Sequence, residues 1–186
     1  MRIVGINGSG RAGGNTSVLV KGILAGAKEA GAEAHLIELG DFSLRLCKVC
    51  KSCKKNHRCI VPDDMQKFYD LAPGTDVLVL GTPIYLDHVS AHLMTFIQRT
   101  YCYVGANLEN FWPRKGVRAV LGITYGAGEP NEYDYVLDWM EERLKFYFEI
   151  PTVGKFKIAG TRHDTIIAPT HPEVERAYAL GKTLSG

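Results

Sequence analysis

Apolar and polar positions follow two rhythms along this chain. Arg2–Asn7 is a short, nearly continuous apolar run with β-branched residues, the mark of a strand buried on both faces. Residues 76–81 (Asp-Val-Leu-Val-Leu-Gly) form the clearest central strand, and 33–39, 116–124 and Thr152–Ile158 read as three more. Between them the period becomes helical. Residues 16–30 place Leu19, Ile23, Ala27 and Ala30 at helical spacing, and Gly31 stops the run. Asp63 or Asp64 caps a helix to about Leu71, which Pro73-Gly74 ends. Ser90 caps a helix carrying Leu93, Met94, Ile97 and Tyr101. A helix over 131–148 puts Val136, Met140, Leu144 and Tyr147 on one face, and a last helix follows Pro172.

Strands that alternate with helices imply an α/β fold with a five-stranded parallel sheet between two helical layers. Right-handed crossovers leave few strand orders, of which the flavodoxin-like 2-1-3-4-5 is preferred. In such a sheet a ligand sits beyond the carboxyl ends of the strands, between the first and third.

The chain has 186 residues, a length suited to one domain over 1–186, with 46% hydrophobic and 23% charged residues. A formal net charge of +2 is too small to imply nucleic-acid binding. No apolar run approaches the roughly 18 residues that cross a bilayer, so no membrane partner is expected. The first residues enter a strand directly, without a signal-peptide pattern, which points to the cytoplasm, where thiols stay reduced.

The loop after the first strand is rich in glycine and hydroxyls: Gly5-Ile6-Asn7-Gly8-Ser9-Gly10-Arg11-Ala12-Gly13-Gly14-Asn15-Thr16-Ser17. A helix N-terminus exposes unpaired N–H groups and a positive dipole end, and glycines let that backbone approach an anion. Ser9, Thr16 and Ser17 add hydroxyls, Asn15 an amide and Arg11 a charge. No Gly-Lys-Ser/Thr follows, so this is not a Walker loop, and it lacks the usual dinucleotide fingerprint. A phosphate monoester such as that of FMN fits best; a plain connecting turn is the alternative. Two further loops share the rim. Thr82, Pro83, Ile84 and Tyr85 follow the third strand, where backbone groups could bond the edge of a flat ring and Tyr85 could pack beside it. Thr124, Tyr125 and Gly126 follow the fourth, with Gly128 close behind.

Cys47, Cys50, Cys53 and Cys59 are spaced C-x2-C-x2-C-x5-C inside a loop over 41–62. Three readings stand for this loop: a 4Fe–4S cluster, whose ferredoxin-type spacing it shares; a redox-active thiol loop without metal; and a zinc site. Arg45, Lys48, Lys51, Lys54, Lys55 and Arg58 surround the thiols with no acidic residue among them, which would lower the cost of an anionic cluster. Cys102, on an apolar helix, reads as a core residue. His88 and His92 read as surface or interface residues, and no side chain is assigned as a catalytic acid, base or nucleophile.

Taken together, these motifs resemble the iron–sulfur flavoproteins within the larger NAD(P)H-dependent FMN reductase group. The resemblance covers residues 1 to about 104. It rests on Gly8-Ser9-Gly10-Arg11-x-x-Gly14-Asn15-Thr16, on the cysteine motif followed by Asp63-Asp64-Met65, and on Thr82-Pro83-Ile84-Tyr85. It implies FMN with its phosphate held by Ser9, Arg11, Asn15, Thr16 and Ser17. The ring would lie against Pro83, Ile84, Tyr85 and the loop that begins at Thr124. It implies a 4Fe–4S cluster on the four clustered cysteines, a homodimer or homotetramer, and a ferredoxin-like electron donor. Oxygen, peroxide or a quinone would be the acceptor. An NAD(P)H-dependent FMN or quinone reductase without a cluster, and a zinc- or thiol-based sensor, are the alternatives.

Overall fold

The computed structural model describes residues 1–162 and 164–184. Its elements run β1 (Arg2–Asn7), α1 (Asn15–Glu29), β2 (Glu33–Glu38), α2 (Met65–Leu71), β3 (Val77–Tyr85) and β4 (His88–Val89). Then follow α3 (Ala91–Arg99), β5 (Arg118–Thr124), α4 (Asp134–Phe148), β6 (Thr152–Ile158) and α5 (Pro172–Thr183). The sheet order is β2-β1-β3-β5-β6, all parallel, which is the expected five-strand arrangement.

The sixth strand is the departure. β4 pairs antiparallel with the end of β3, Ile84 opposite Val89 and Tyr85 opposite His88. The two residues between them, Leu86 (φ 47°) and Asp87 (φ 61°), both take the left-handed conformation that a tight two-residue hairpin demands. That geometry usually calls for Asn-Gly or Asp-Gly; Leu86-Asp87 carries no such signal, so sequence patterning stops the strand early.

Side chains alternate across the sheet and fill two core layers. Ile3, Val77, Val79 and Val120 pack under α1 and α5 with Leu19, Ile23, Val174 and Ala177. Val4, Ile6, Leu78, Leu80 and Leu121 pack under α2, α3 and α4 with Phe68, Phe96 and Met140. Ser90 caps α3 as expected: its Oγ accepts from the Leu93 N–H at 3.1 Å and donates to the Gly8 carbonyl at 2.5 Å, tying the helix to the glycine loop. Asp64 occupies the cap position of α2 without a side-chain cap bond; Asp63 accepts from the Met65 N–H instead, at 3.2 Å. Among the described residues no helix is long and apolar enough to cross a membrane.

Candidate functional site

Three loops meet at the carboxyl ends of β1, β3 and β5. The first is built around Asn7. Its Oδ1 accepts from the Ser9 N–H at 3.1 Å, while its Nδ2 donates to Glu38. Ser9 Oγ in turn accepts from the Arg11 N–H at 3.0 Å, and the Gly14 N–H donates to the Arg11 carbonyl at 3.2 Å. Gly13 has φ +69°, and a Cβ on Gly8 would lie 2.8 Å from Leu93 and 2.9 Å from the Gly81 carbonyl. Gly14 caps α1, no side chain caps its first turn, and no acidic residue lies in that turn. The free N–H groups at the helix start therefore face the cleft with their positive dipole end uncompensated.

The cleft holds about 480 Å³. Ser9, Arg11, Asn15 and Thr16 line it at the loop, and Pro83, Ile84 and Tyr85 from β3 and Thr124, Tyr125 and Gly126 after β5 complete the wall. Thr16 Oγ1 and Thr124 Oγ1 share a buried hydrogen bond of 2.7 Å that locks the first loop to the third. Two of the sequence-derived residues lie elsewhere. Ser17 is fully buried and donates to Glu38 at 2.6 Å, and Thr82 Oγ1 donates to the Pro83 carbonyl and accepts from the Ser90 N–H. Both shape the loops from behind.

A fourth segment reaches the cleft that the sequence reading did not include: Thr161, Arg162 and Asp164. Asn15 holds it. Its Nδ2 donates to the carbonyls of Arg162 (3.3 Å) and Thr165 (3.2 Å), and its Oδ1 accepts from the Ile167 N–H at 2.8 Å. The usable signal was positional: Thr161-Arg162 follows the last strand, on the same rim as the other loops. Donors and a positive charge at one end, with Pro83, Ile84, Tyr85 and Tyr125 at the other, suit a molecule that joins a phosphate to a flat ring. Asp164 is the single acidic side chain on the wall among the described residues. FMN fits this donor set.

The cysteine loop leaves the sheet after β2 and returns at α2. Its neck is closed by two backbone-to-carboxylate bonds, the Ser43 N–H to Asp64 (2.8 Å) and the Arg45 N–H to Asp63 (2.9 Å). Asp63 pairs with Arg99 at 2.5 and 3.1 Å, and Arg99 also donates to the Arg45 carbonyl at 2.7 Å. The tip is held against the 101–111 segment: Lys54 donates to the Tyr101 carbonyl and lies 3.3 Å from that tyrosine's ring centre, and His57 stacks on Phe111 at 3.9 Å. Arg58 is engaged by Gln66 and Asp70. Of the six basic residues, Arg45, Lys48, Lys51, Lys54 and Lys55 form no ion pair among the described residues.

Cys53 and Cys59 are half-buried against the core, Cys47 is half-buried and Cys50 is exposed. Among the described residues no three His, Cys, Asp or Glu side chains are gathered as a metal centre. The donor chemistry suits a thiolate-ligated cluster; the side-chain placement does not assemble one. Val49, Lys51 and His57, interleaved with the cysteines, all take positive φ, so the loop carries backbone strain that its surroundings must maintain.

The thiols differ in ease of ionisation. Hydrogen bonds from Ser52, with help from the Lys48 charge, pull Cys50 below the ordinary thiol value. Burial pushes Cys53 up, and pushes Cys102 up to about 12. In cofactor-free protein at neutral pH, iodoacetamide should therefore modify Cys50 before Cys53 and leave Cys102 untouched until the protein unfolds. A peptide-resolved mass-spectrometric time course reads the order directly; early loss of the Cys102 thiol would contradict it.

The chain is 32% identical over 130 residues to an iron–sulfur flavoprotein of Methanocaldococcus jannaschii, covering 69% of this chain and 66% of that protein. It is 28% identical over 188 residues to an iron–sulfur flavoprotein of Archaeoglobus fulgidus, covering 100% of this chain and 79% of that one. Among solved structures, the NAD(P)H:quinone oxidoreductase from Methanothermobacter marburgensis superposes with a TM-score of 0.75 at 15% identity, over 99% of this chain and 98% of that chain. A flavodoxin from the domain Archaea gives 0.60 at 13% identity, over 100% of this chain and 96% of that one. These two establish the flavodoxin-like fold. The family model for NADPH-dependent FMN reductases matches residues 1–137, through the glycine loop, the β3 rim and the loop after β5. The chain belongs to the NADPH-dependent FMN reductase family.

Proposed function

We propose that this chain is an FMN-dependent redox protein of the iron–sulfur flavoprotein kind, working in the cytoplasm. The observation that carries the flavin part is the single cleft that joins an uncapped helix start, Ser9, Arg11 and Thr16 to the apolar wall of Pro83, Ile84 and Tyr85. FMN, when bound, supplies one- and two-electron chemistry, and a 4Fe–4S cluster supplies single electrons. The chain's own part is to bind and orient. The first turn of α1 and the hydroxyls of Ser9 and Thr16 would hold the phosphate. Tyr85, 53% exposed at the cleft mouth, would cover one face of the ring. Tyr125 is fixed beneath by its hydroxyl bond to the Pro130 carbonyl at 2.7 Å. Cys47, Cys50, Cys53 and Cys59 would ligate the cluster, and the unpaired basic residues around them would receive an acidic, ferredoxin-like donor. A homodimer or homotetramer and a small acceptor (oxygen, peroxide or a quinone) complete the reading.

The test is an anaerobic preparation in which flavin, iron, sulfide and zinc are quantified together. About four iron and four sulfide beside one FMN per chain is the expected result. Cys53→Ala should then remove the iron and spare the flavin. FMN without iron, even after anaerobic reconstitution, would favour the second reading, a cluster-free NAD(P)H-linked flavin reductase. The lack of a gathered thiol set among the described residues is the observation on that side. Zinc without flavin would overturn both.

A further inference from the structure

Asn7 and Glu38, the last residues of β1 and β2, lie side by side in the parallel register. Their side chains meet under α1, whose Ser17 and Lys21 stand one turn apart. Three donors converge there on the Glu38 carboxylate. Asn7 Nδ2 donates to Oε2, Ser17 Oγ donates to Oε1 at 2.6 Å, and Lys21 Nζ lies 3.4 Å from Oε1. Asn7 and Ser17 are 0% exposed, so water does not replace the carboxylate as their acceptor.

An amide side chain can turn over with little change of shape, exchanging donor for acceptor. The orientation of Asn7 is decided from two sides. Its Oδ1 accepts from the Ser9 N–H at 3.1 Å, and its Nδ2 needs an acceptor, which Glu38 supplies. A turned amide would set N–H against N–H at Ser9 and oxygen against oxygen at Glu38. From Asn7 the bonds run outward: the Arg11 N–H donates to Ser9 Oγ, and the Gly14 N–H donates to the Arg11 carbonyl. Ser9, Arg11 and Gly14 all line the cleft, whereas Glu38 does not. The same strand end also presses on the loop directly, since a Cβ on Gly40 would lie 2.9 Å from the Gly10 carbonyl carbon.

Charge narrows the role. A carboxylate behind an anion site opposes the anion, and Lys21, with its side chain 52% exposed, screens that charge only in part. Glu38 therefore assists phosphate binding through its two acceptor oxygens and not through its charge.

We propose that Glu38 is a positioning residue for the phosphate end of the cleft. It fixes the Asn7 amide, and through Asn7 the 9–14 loop, in the form that takes a flavin phosphate, and so it sets the preference for FMN over riboflavin. This assignment rests on the flavin reading and deepens it.

Fluorescence titration of the full chain with FMN and with riboflavin, which lacks the phosphate, tests it. Glu38→Ala should weaken FMN about tenfold and leave riboflavin within about twofold of the parent. Glu38→Gln keeps an acceptor for Asn7 and can donate to Ser17 Oγ, so it should hold FMN within about threefold of the parent. If Glu38 acts through Asn7, Glu38→Ala should weaken FMN by less than about twofold further in an Asn7→Ala background. Tighter FMN binding by Glu38→Ala, or a loss in Glu38→Gln as large as in Glu38→Ala, would assign the effect to charge and overturn the proposal. An equal loss of both flavins in Glu38→Ala would make Glu38 a residue of the fold alone and also overturn it. A parent that binds FMN, with variants that bind it as before, would overturn this assignment and leave the flavin reading standing. A parent that binds neither flavin would overturn the flavin reading, and this assignment with it.

Discussion

Replacing Arg99 with leucine should lower folding stability by about 3–5 kcal/mol. The guanidinium and the Asp63 carboxylate have 0% and 1% of their side-chain surface exposed, so the variant leaves an ionised carboxylate in the interior with two backbone N–H groups as its remaining partners. Removing both charges, as Arg99→Leu with Asp63→Leu, should recover a large part of the loss, because the desolvation of two ions is then no longer opposed to folding. Urea titration of the two variants against the parent measures this; a single variant within about 0.5 kcal/mol of the parent would refute the central role of the pair. The pair also sets a pH dependence. Burial disfavours ionisation of Asp63, yet Arg99 together with the Arg45 and Met65 amides holds its carboxyl below the ordinary value of 3.8. A carboxyl whose folded value is depressed stabilises the fold fully above its unfolded value and loses that stabilisation as the pH falls through the folded one. Acid unfolding of the parent should therefore show a component below about pH 4 that the doubly substituted variant lacks.

The second large effect concerns Asn15. Changing it to alanine should raise the dissociation constant for FMN about thirty- to a hundredfold, the equivalent of two to three ordinary hydrogen bonds. The three bonds lost are the ones that hold the 161–167 segment over the cleft. Asn15→Asp should be worse: it keeps an acceptor for the Ile167 N–H but turns a negative charge toward two carbonyls and the phosphate end. Flavin-fluorescence titration separates the cases. Unchanged FMN affinity in both variants would mean that this segment takes no part in binding.

The sheet and its layers were legible because they are written in local periodicity. The runs at β1 and β3 are apolar on both faces, and α1 repeats its apolar residues at helical spacing. Ser90 was legible as a cap because its partner, Leu93, is three residues away. The rim position of the glycine loop followed from strand order alone. The missing parts depend on pairing at a distance. Arg99 looks like a basic residue in a last helical turn; its partner lies 36 positions earlier. Asn15 looks like a phosphate ligand, yet its amide is already engaged 147 to 152 positions along the chain. Ser17 and Thr82 have the right chemistry for the cleft and point away from it, toward Glu38 and Ser90. Residue type identifies what a loop can offer; only the fold decides which side chains are already committed.

The closed neck of the cysteine loop has a consequence for how such a chain can change. Asp63 and Asp64 receive the outgoing chain at Ser43 and Arg45, so the polypeptide departs and returns at nearly one point, about twenty residues apart. What lies between these anchors can lengthen or shorten at the slow logarithmic cost of loop closure plus the contacts that Lys54, His57 and Arg58 make, without shifting the register of any strand. The segment is thus a cassette mounted on a fixed socket. A fold built this way can take an insertion or deletion here with the sheet, the rim cleft and the buried Asp63–Arg99 pair carried through intact.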